Sequence, residues 1–106
     1  NSSVGKQVAR FISQDETGAQ NLVKLAIMQV AAPEKLQALV ADPEIASTLE
    51  TPQIQEFLQD PTIKESVENG DTTAILAHPG FIALIADPEL NRAIAQIDIE
   101  QALKLR

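Results

Sequence analysis

Residues 39–96 read LVADPEIAS TLETPQIQE FLQDPTIKE SVENGDTTA ILAHPGFIA LIADPELNR AIAQ, and set in nines they share columns. Pro43, Pro52, Pro61, Pro79 and Pro88 stand in one column, with Gly70 in the slot between Pro61 and Pro79. Before them stand Asp42, Thr51, Asp60, Asn69, His78 and Asp87. Two residues after them stand Ile45, Ile54, Ile63, Thr72, Phe81 and Leu90. Three before are Val40, Leu49, Leu58, Val67, Leu76 and Ile85. A fixed period of this kind outranks any residue-by-residue reading of the fold.

Proline inside a helix costs about 3 kcal/mol, because it lacks the N–H and its ring strikes the preceding turn. At the first helical position it costs little, since that N–H has no partner in any helix. The preceding Asp, Thr or Asn then becomes the N-cap, and its side-chain oxygen accepts from a free backbone N–H. Each unit therefore predicts one helix of about seven residues, roughly 10 Å long. Helices this short do not persist alone and must be held by packing. The pairs Ile45/Leu49, Ile54/Leu58, Ile63/Val67, Phe81/Ile85 and Leu90/Ile94 lie four apart and form one apolar stripe per helix, widened by Phe57, Ile75 and Leu84. Strands are the competing reading of short apolar runs, and the regular prolines argue against them.

Upstream of the repeat, Val4, Val8, Phe11 and Ile12 recur at helical spacing, which predicts a short amphipathic helix. It would cap the core, lie on a membrane surface, or lead down from an upstream membrane segment. Ser13 to Glu16 has the S-x-x-E form of a capping box and predicts the start of a second helix, with Thr17-Gly18 blurring that start. Residues 19–31 carry Leu22, Val23, Ala26, Ile27 and Val30 on one face, widened by Leu25 and Met28, with Gln20, Lys24 and Gln29 outward. Pro33 opens the next helix, with Leu36, Leu39 and Val40 inward. Asn69-Gly70 reads as a helix stop and Asp71 as the next cap. Asp98 is the candidate cap of a last helix carrying Leu103 and Leu105.

A chain of 106 residues fits one domain, residues 1–106, with two amphipathic helices in 1–32 and the short-helix repeat in 33–106. It contains no Cys, Trp or Tyr and three Phe, so the core is aliphatic. We expect an all-α domain of eight or nine mostly short helices. No apolar run reaches the roughly 20 residues of a membrane span. The chain begins at Asn1 rather than Met, which reads as a fragment or processed product with an upstream membrane region possible. Its location is then the cytoplasm or the soluble part of a membrane-associated bacterial protein.

The net charge is −7, and residues 36–91 hold ten acids against Lys64 alone. Phosphate-backbone binding needs clustered cations, so nucleic acid is not an expected partner. The acidic surface reads as solubilising, or as steering for a basic partner. His78 is the only histidine and reads as a junction residue. No thiolate or histidine set for zinc, calcium loop, glycine-rich phosphate loop or nucleophile elbow is present. The expectation is no catalytic residue, no metal and no cofactor, hence no enzyme.

The runs LVADPEIASTL, FLQDPTIKESV and LIADPELNRAI resemble the Asp-Pro (DP, STI1-type) repeats of co-chaperones, over about Pro33 to Gln96. That resemblance implies short helices curled around a hydrophobic groove that holds a client segment. It makes Ile45, Leu49, Ile54, Phe57, Leu58, Ile63, Phe81 and Leu84 the candidate groove residues. Similar L-x-x-DP runs occur in C-terminal extensions of CvpA-like (colicin V production) bacterial membrane proteins. The leading expectation is a non-enzymatic module that binds an apolar or amphipathic protein or peptide segment in an inter-helix groove. The alternative is a soluble structural or regulatory extension of a CvpA-like protein, with a closed core.

Overall fold

A computed structural model describes the backbone of residues 2–104 and the side chains of residues 17–104. Proline and its neighbours set the boundaries. Among the described residues the chain forms nine helices: α1 (Ser2–Ala31), α2 (Pro33–Leu39), α3 (Pro43–Leu49), α4 (Pro52–Leu58), α5 (Pro61–Glu68), α6 (Thr72–Ala77), α7 (Pro79–Ala86), α8 (Pro88–Ala95) and α9 (Ile99–Lys104). Six of them start on proline. Asp42 and Asp60 each accept from the backbone N–H two residues on, at 2.9 and 2.7 Å. Asp87 accepts from both Glu89 and Leu90. Asp71 and Asp98 cap α6 and α9 by accepting from Ala74 and Gln101. Thr51, in the same column, makes no capping bond, and α4 starts on its proline alone.

Asn69-Gly70 ends α5. Gly70 has φ +67°, the left-handed conformation that glycine reaches without strain. Gly70 N–H bonds Val67 O and Asp71 N–H bonds Ser66 O, the paired closure of a Schellman stop. Asn69 is thus the C-cap of α5 rather than an N-cap, which is why the proline column is broken there.

The N-terminal region differs from the expectation of two helices. Its backbone is one 30-residue helix, continuous through Ser13–Gly18. A capping box competes with helix propagation, and here propagation wins. The apolar positions at 4, 8, 11 and 12 lie outside the described side chains. Gly18 is buried, and a Cβ there would strike Asn91 Oδ1, so it marks the close approach of α1 to α8 rather than a break.

α1 is the axis of the domain. It packs most extensively on α8, then on α5 and α2, and also touches α4, α6 and α7. Its buried side is Asn21, Leu22, Leu25, Ala26 and Met28, while Ile27 is 41% exposed. The buried face is therefore turned from the expected one toward Gly18, because α8 approaches where there is no side chain. The short helices lay their stripes against it and close one hydrophobic cluster. Their most constant inward positions are two and five residues after the proline column: Ile45, Ile54, Ile63 and Phe81, with Phe57, Ser66, Ile75 and Leu84. The position six after is buried at Leu49, Leu58 and Ile94, half-buried at Val67 and Ile85, and exposed at Leu76. The five expected i, i+4 pairs all join this cluster, and Phe57, Ile75 and Leu84 widen the stripe as i, i+3 partners.

Closure also buries the candidate groove residues. Ile45, Leu49, Ile54, Phe57, Leu58, Ile63, Phe81 and Leu84 all belong to the core, and none is more than 7% exposed. Helices of seven residues need their whole stripe buried to persist, and α1 supplies the surface that buries it.

Candidate functional site

Seven-residue helices joined without loops cannot pack flush everywhere, and shallow clefts remain where their ends meet. One such cleft, of about 340 Å³, lies among α4, α7 and α8. Phe57 and Leu84 are its buried floor, and half-buried Leu90 continues it. Glu56, Asp60 and Asp87 stand around it, with Gln53 and Ala83 at the mouth and no Lys or Arg in the lining. Of the eight groove candidates, only Phe57 and Leu84 reach this cleft. Ile45 borders a smaller recess of about 130 Å³ beside α8. The other five lie in the core cluster.

The cap column builds the end wall of the cleft. Asp60 starts α5 through Oδ1, which accepts from Thr62 N–H, while Oδ2 lies 3.2 Å from His78 Nε2. His78 starts α7 through Nδ1, which accepts from Gly80 N–H at 2.9 Å. The imidazole and the Phe57 ring meet in a T-shaped contact, with centroids 5.8 Å apart and planes at 79°. Phe57 in turn touches Phe81, at 6.0 Å between centroids. Gly80 leaves room for this stack, since a Cβ there would sit 3.1 Å from the His78 ring. The Thr62 N–H bond, helped by the neighbouring imidazole, holds the Asp60 carboxyl below the usual carboxylate range, against the raising effect of its partial desolvation. Asp60 and His78 are 18 residues apart, two full periods, so the repeat itself carries the signal that brings them together.

A second polar feature had no counterpart in the sequence reading. Asn21, 8% exposed, reaches from α1 to the C-terminal end of α8, where Nδ2 donates to both Ile94 O and Ile97 O at 2.9 Å. Carbonyls at a helix end lack intrahelical donors, so this amide seals α8 from outside. Asn91 does the same for α7, its Nδ2 donating to Ile85 O. The visible clue was an amide at 21 in phase with Gly18, Leu22 and Leu25.

Two further recesses border α8 and hold no converging set of acid, base and nucleophile. One, of about 400 Å³, lies between Asn21 and Ile97; the other, of about 830 Å³, lies between Thr17 and Arg92. Among the described residues, no three His, Asp or Glu side chains converge to hold a metal ion. No helix among them is long and apolar enough to cross a membrane.

Fold and cleft together define a class: an all-α domain of short proline-started helices wrapped on one long helix. Compared with protein-family models, with curated proteins and with solved structures, the chain matches none.

Proposed function

We propose that this chain is a non-enzymatic protein-interaction domain whose α4/α7/α8 cleft takes an amphipathic segment carrying basic residues. The observation that carries this reading is the pairing of an apolar floor with a rim of three carboxylates and no lining Lys or Arg. An inserted Leu or Ile side chain gains about 1.5–3 kcal/mol by burial. A Lys or Arg one helical turn away would meet Glu56, Asp60 or Asp87. Contact this small supports a transient complex, with Kd on the order of 10–100 µM.

The test is an NMR titration of the 15N-labelled domain with a blocked amphipathic peptide of Leu, Ala, Gln and Lys. Shifts should concentrate at Gln53, Glu56, Gly80, Ala83 and Asp87 and weaken as salt screens the charges. Glu56→Lys reverses an exposed rim charge that caps no helix, and it should weaken binding severalfold. Unchanged affinity in that variant would refute the reading.

The burial of all eight groove candidates supports a second reading, a closed structural or regulatory extension of a larger membrane-associated protein. It predicts no cleft shifts at millimolar peptide.

A further inference from the structure

Both nitrogens of the single histidine are committed to structure. Nδ1 accepts from Gly80 N–H, and a ring nitrogen that accepts an N–H carries no proton of its own. The neutral ring therefore holds its proton on Nε2 and donates it to Asp60 Oδ2. A second proton can bind only at Nδ1, where it meets the Gly80 N–H head on. Charging His78 thus requires the first turn of α7 to give up its side-chain cap.

The charged groups that line the cleft with His78 are all acidic. Asp60 comes from the α4–α5 junction, Glu56 and Phe57 from α4, and Asp87 from the α7–α8 junction. Its own junction contributes Gly80 and the end of α6, where His78 N–H bonds Ile75 O. A charged ring would pair with Asp60 and reduce the negative charge of the cleft by one.

We propose that His78 is a proton-operated latch on the cleft. Neutral His78 fastens the start of α7 and leaves the rim its full negative charge for a basic segment. Protonated His78 releases Gly80, offsets the Asp60 charge and disfavours that segment. This role rests on the cleft as the binding site. Binding and protonation are reciprocal, so a bound basic segment also resists the proton.

The experiment uses the intact chain and the same Leu, Ala, Gln and Lys peptide, which has no group that titrates with His78. Imidazole 15N shifts report the tautomer and the His78 titration midpoint. The neutral ring should be protonated at Nε2, and the Gly80 amide should move with that same midpoint. Peptide affinity should fall about three- to tenfold as pH drops through it, the loss expected for one added charge several ångströms away at intermediate dielectric. His78→Asn keeps a side-chain oxygen for the Gly80 N–H but does not titrate. Its affinity should stay flat over the same interval. An Nδ1–H neutral tautomer, or a Gly80 amide indifferent to His78 protonation, would overturn the latch itself. Wild-type pH dependence retained in His78→Asn would remove its control of binding. Peptide binding absent at every pH would instead overturn the cleft, and the latch's role in binding with it.

Discussion

Asn21→Ala is the substitution whose consequence the structure specifies most closely. The two carbonyls bound by this amide do not lose equally. Ile94 O also accepts from Ile97 N–H at 3.2 Å and keeps that bond. It loses one of two donors, worth about 1 kcal/mol. Among the described bonds, Ile97 O has Asn21 as its donor. Leaving it unpaired costs about 1–3 kcal/mol, with the low end applying if water from the adjoining recess replaces the amide. The sum is about 2–4 kcal/mol, a large share of the 5–15 kcal/mol typical of a domain. In urea the midpoint should fall by about 1–2 M. Thermal melting should fall by about 10–25 °C. Asn21→Asp should be worse at neutral pH, because a carboxylate would face two carbonyl oxygens. It should recover partly in acid, where the protonated group can donate to one of them. A cost below about 0.5 kcal/mol for Asn21→Ala, or an Asn21→Asp variant that matches it at neutral pH, would refute this role of the amide.

Other outcomes follow from the same packing. Leu58→Ala should cost about 2–5 kcal/mol in denaturant unfolding, because Leu58 is 3% exposed; an open groove would make the loss far smaller. Gly18→Val should cost about 1–3 kcal/mol despite the better intrinsic helix former, since the new side chain must displace Asn91 and with it the bond to Ile85 O. Asp87→Ala should cost about 1 kcal/mol, measured the same way, through loss of two N–H acceptor bonds at the start of α8. The Asp60 carboxyl titrates lower in the folded chain than in the unfolded one, so its stabilisation is complete above the unfolded value. That stabilisation is lost as pH falls through the folded value, below the usual carboxylate range. Asp60→Asn should flatten the acid limb of a stability–pH profile, and an unchanged limb would contradict the assignment.

What was legible in the sequence is what local chemistry decides. Proline at N1 and an acceptor before it fix a helix start wherever they occur, so α3, α5 and α8 could be placed from Asp42, Asp60 and Asp87. Gly70 likewise announced the end of α5. What was not legible depends on a second element. The Ser13–Glu16 pattern is a genuine capping signal, yet whether a helix starts there or runs through it is not decided within those four residues. Gly18 looks like a breaker until Asn91 is set against it. The stripe Ile45, Ile54, Ile63 and Phe81 is equally suited to lining a groove or filling a core. Only the position of α1 decides, and nothing inside the repeat encodes it. The cleft follows the same rule: Glu56, Asp60 and Asp87 are unremarkable surface acids along the chain, and they surround Phe57 and Leu84 only once α4, α7 and α8 have met.

The most direct test of core closure exploits the absence of native cysteine. A single Leu49→Cys substitution places a thiol at a position 2% exposed, and its labelling by a disulfide reagent such as DTNB can be timed against Ile82→Cys, at a position 55% exposed. A closed core predicts that the Leu49→Cys thiol reacts only through unfolding, about a thousandfold or more slowly in native buffer, as expected from the small open fraction of a stable domain. Comparable labelling rates for the two thiols would mean that the stripe is open to solvent, and the closed core would have to be abandoned.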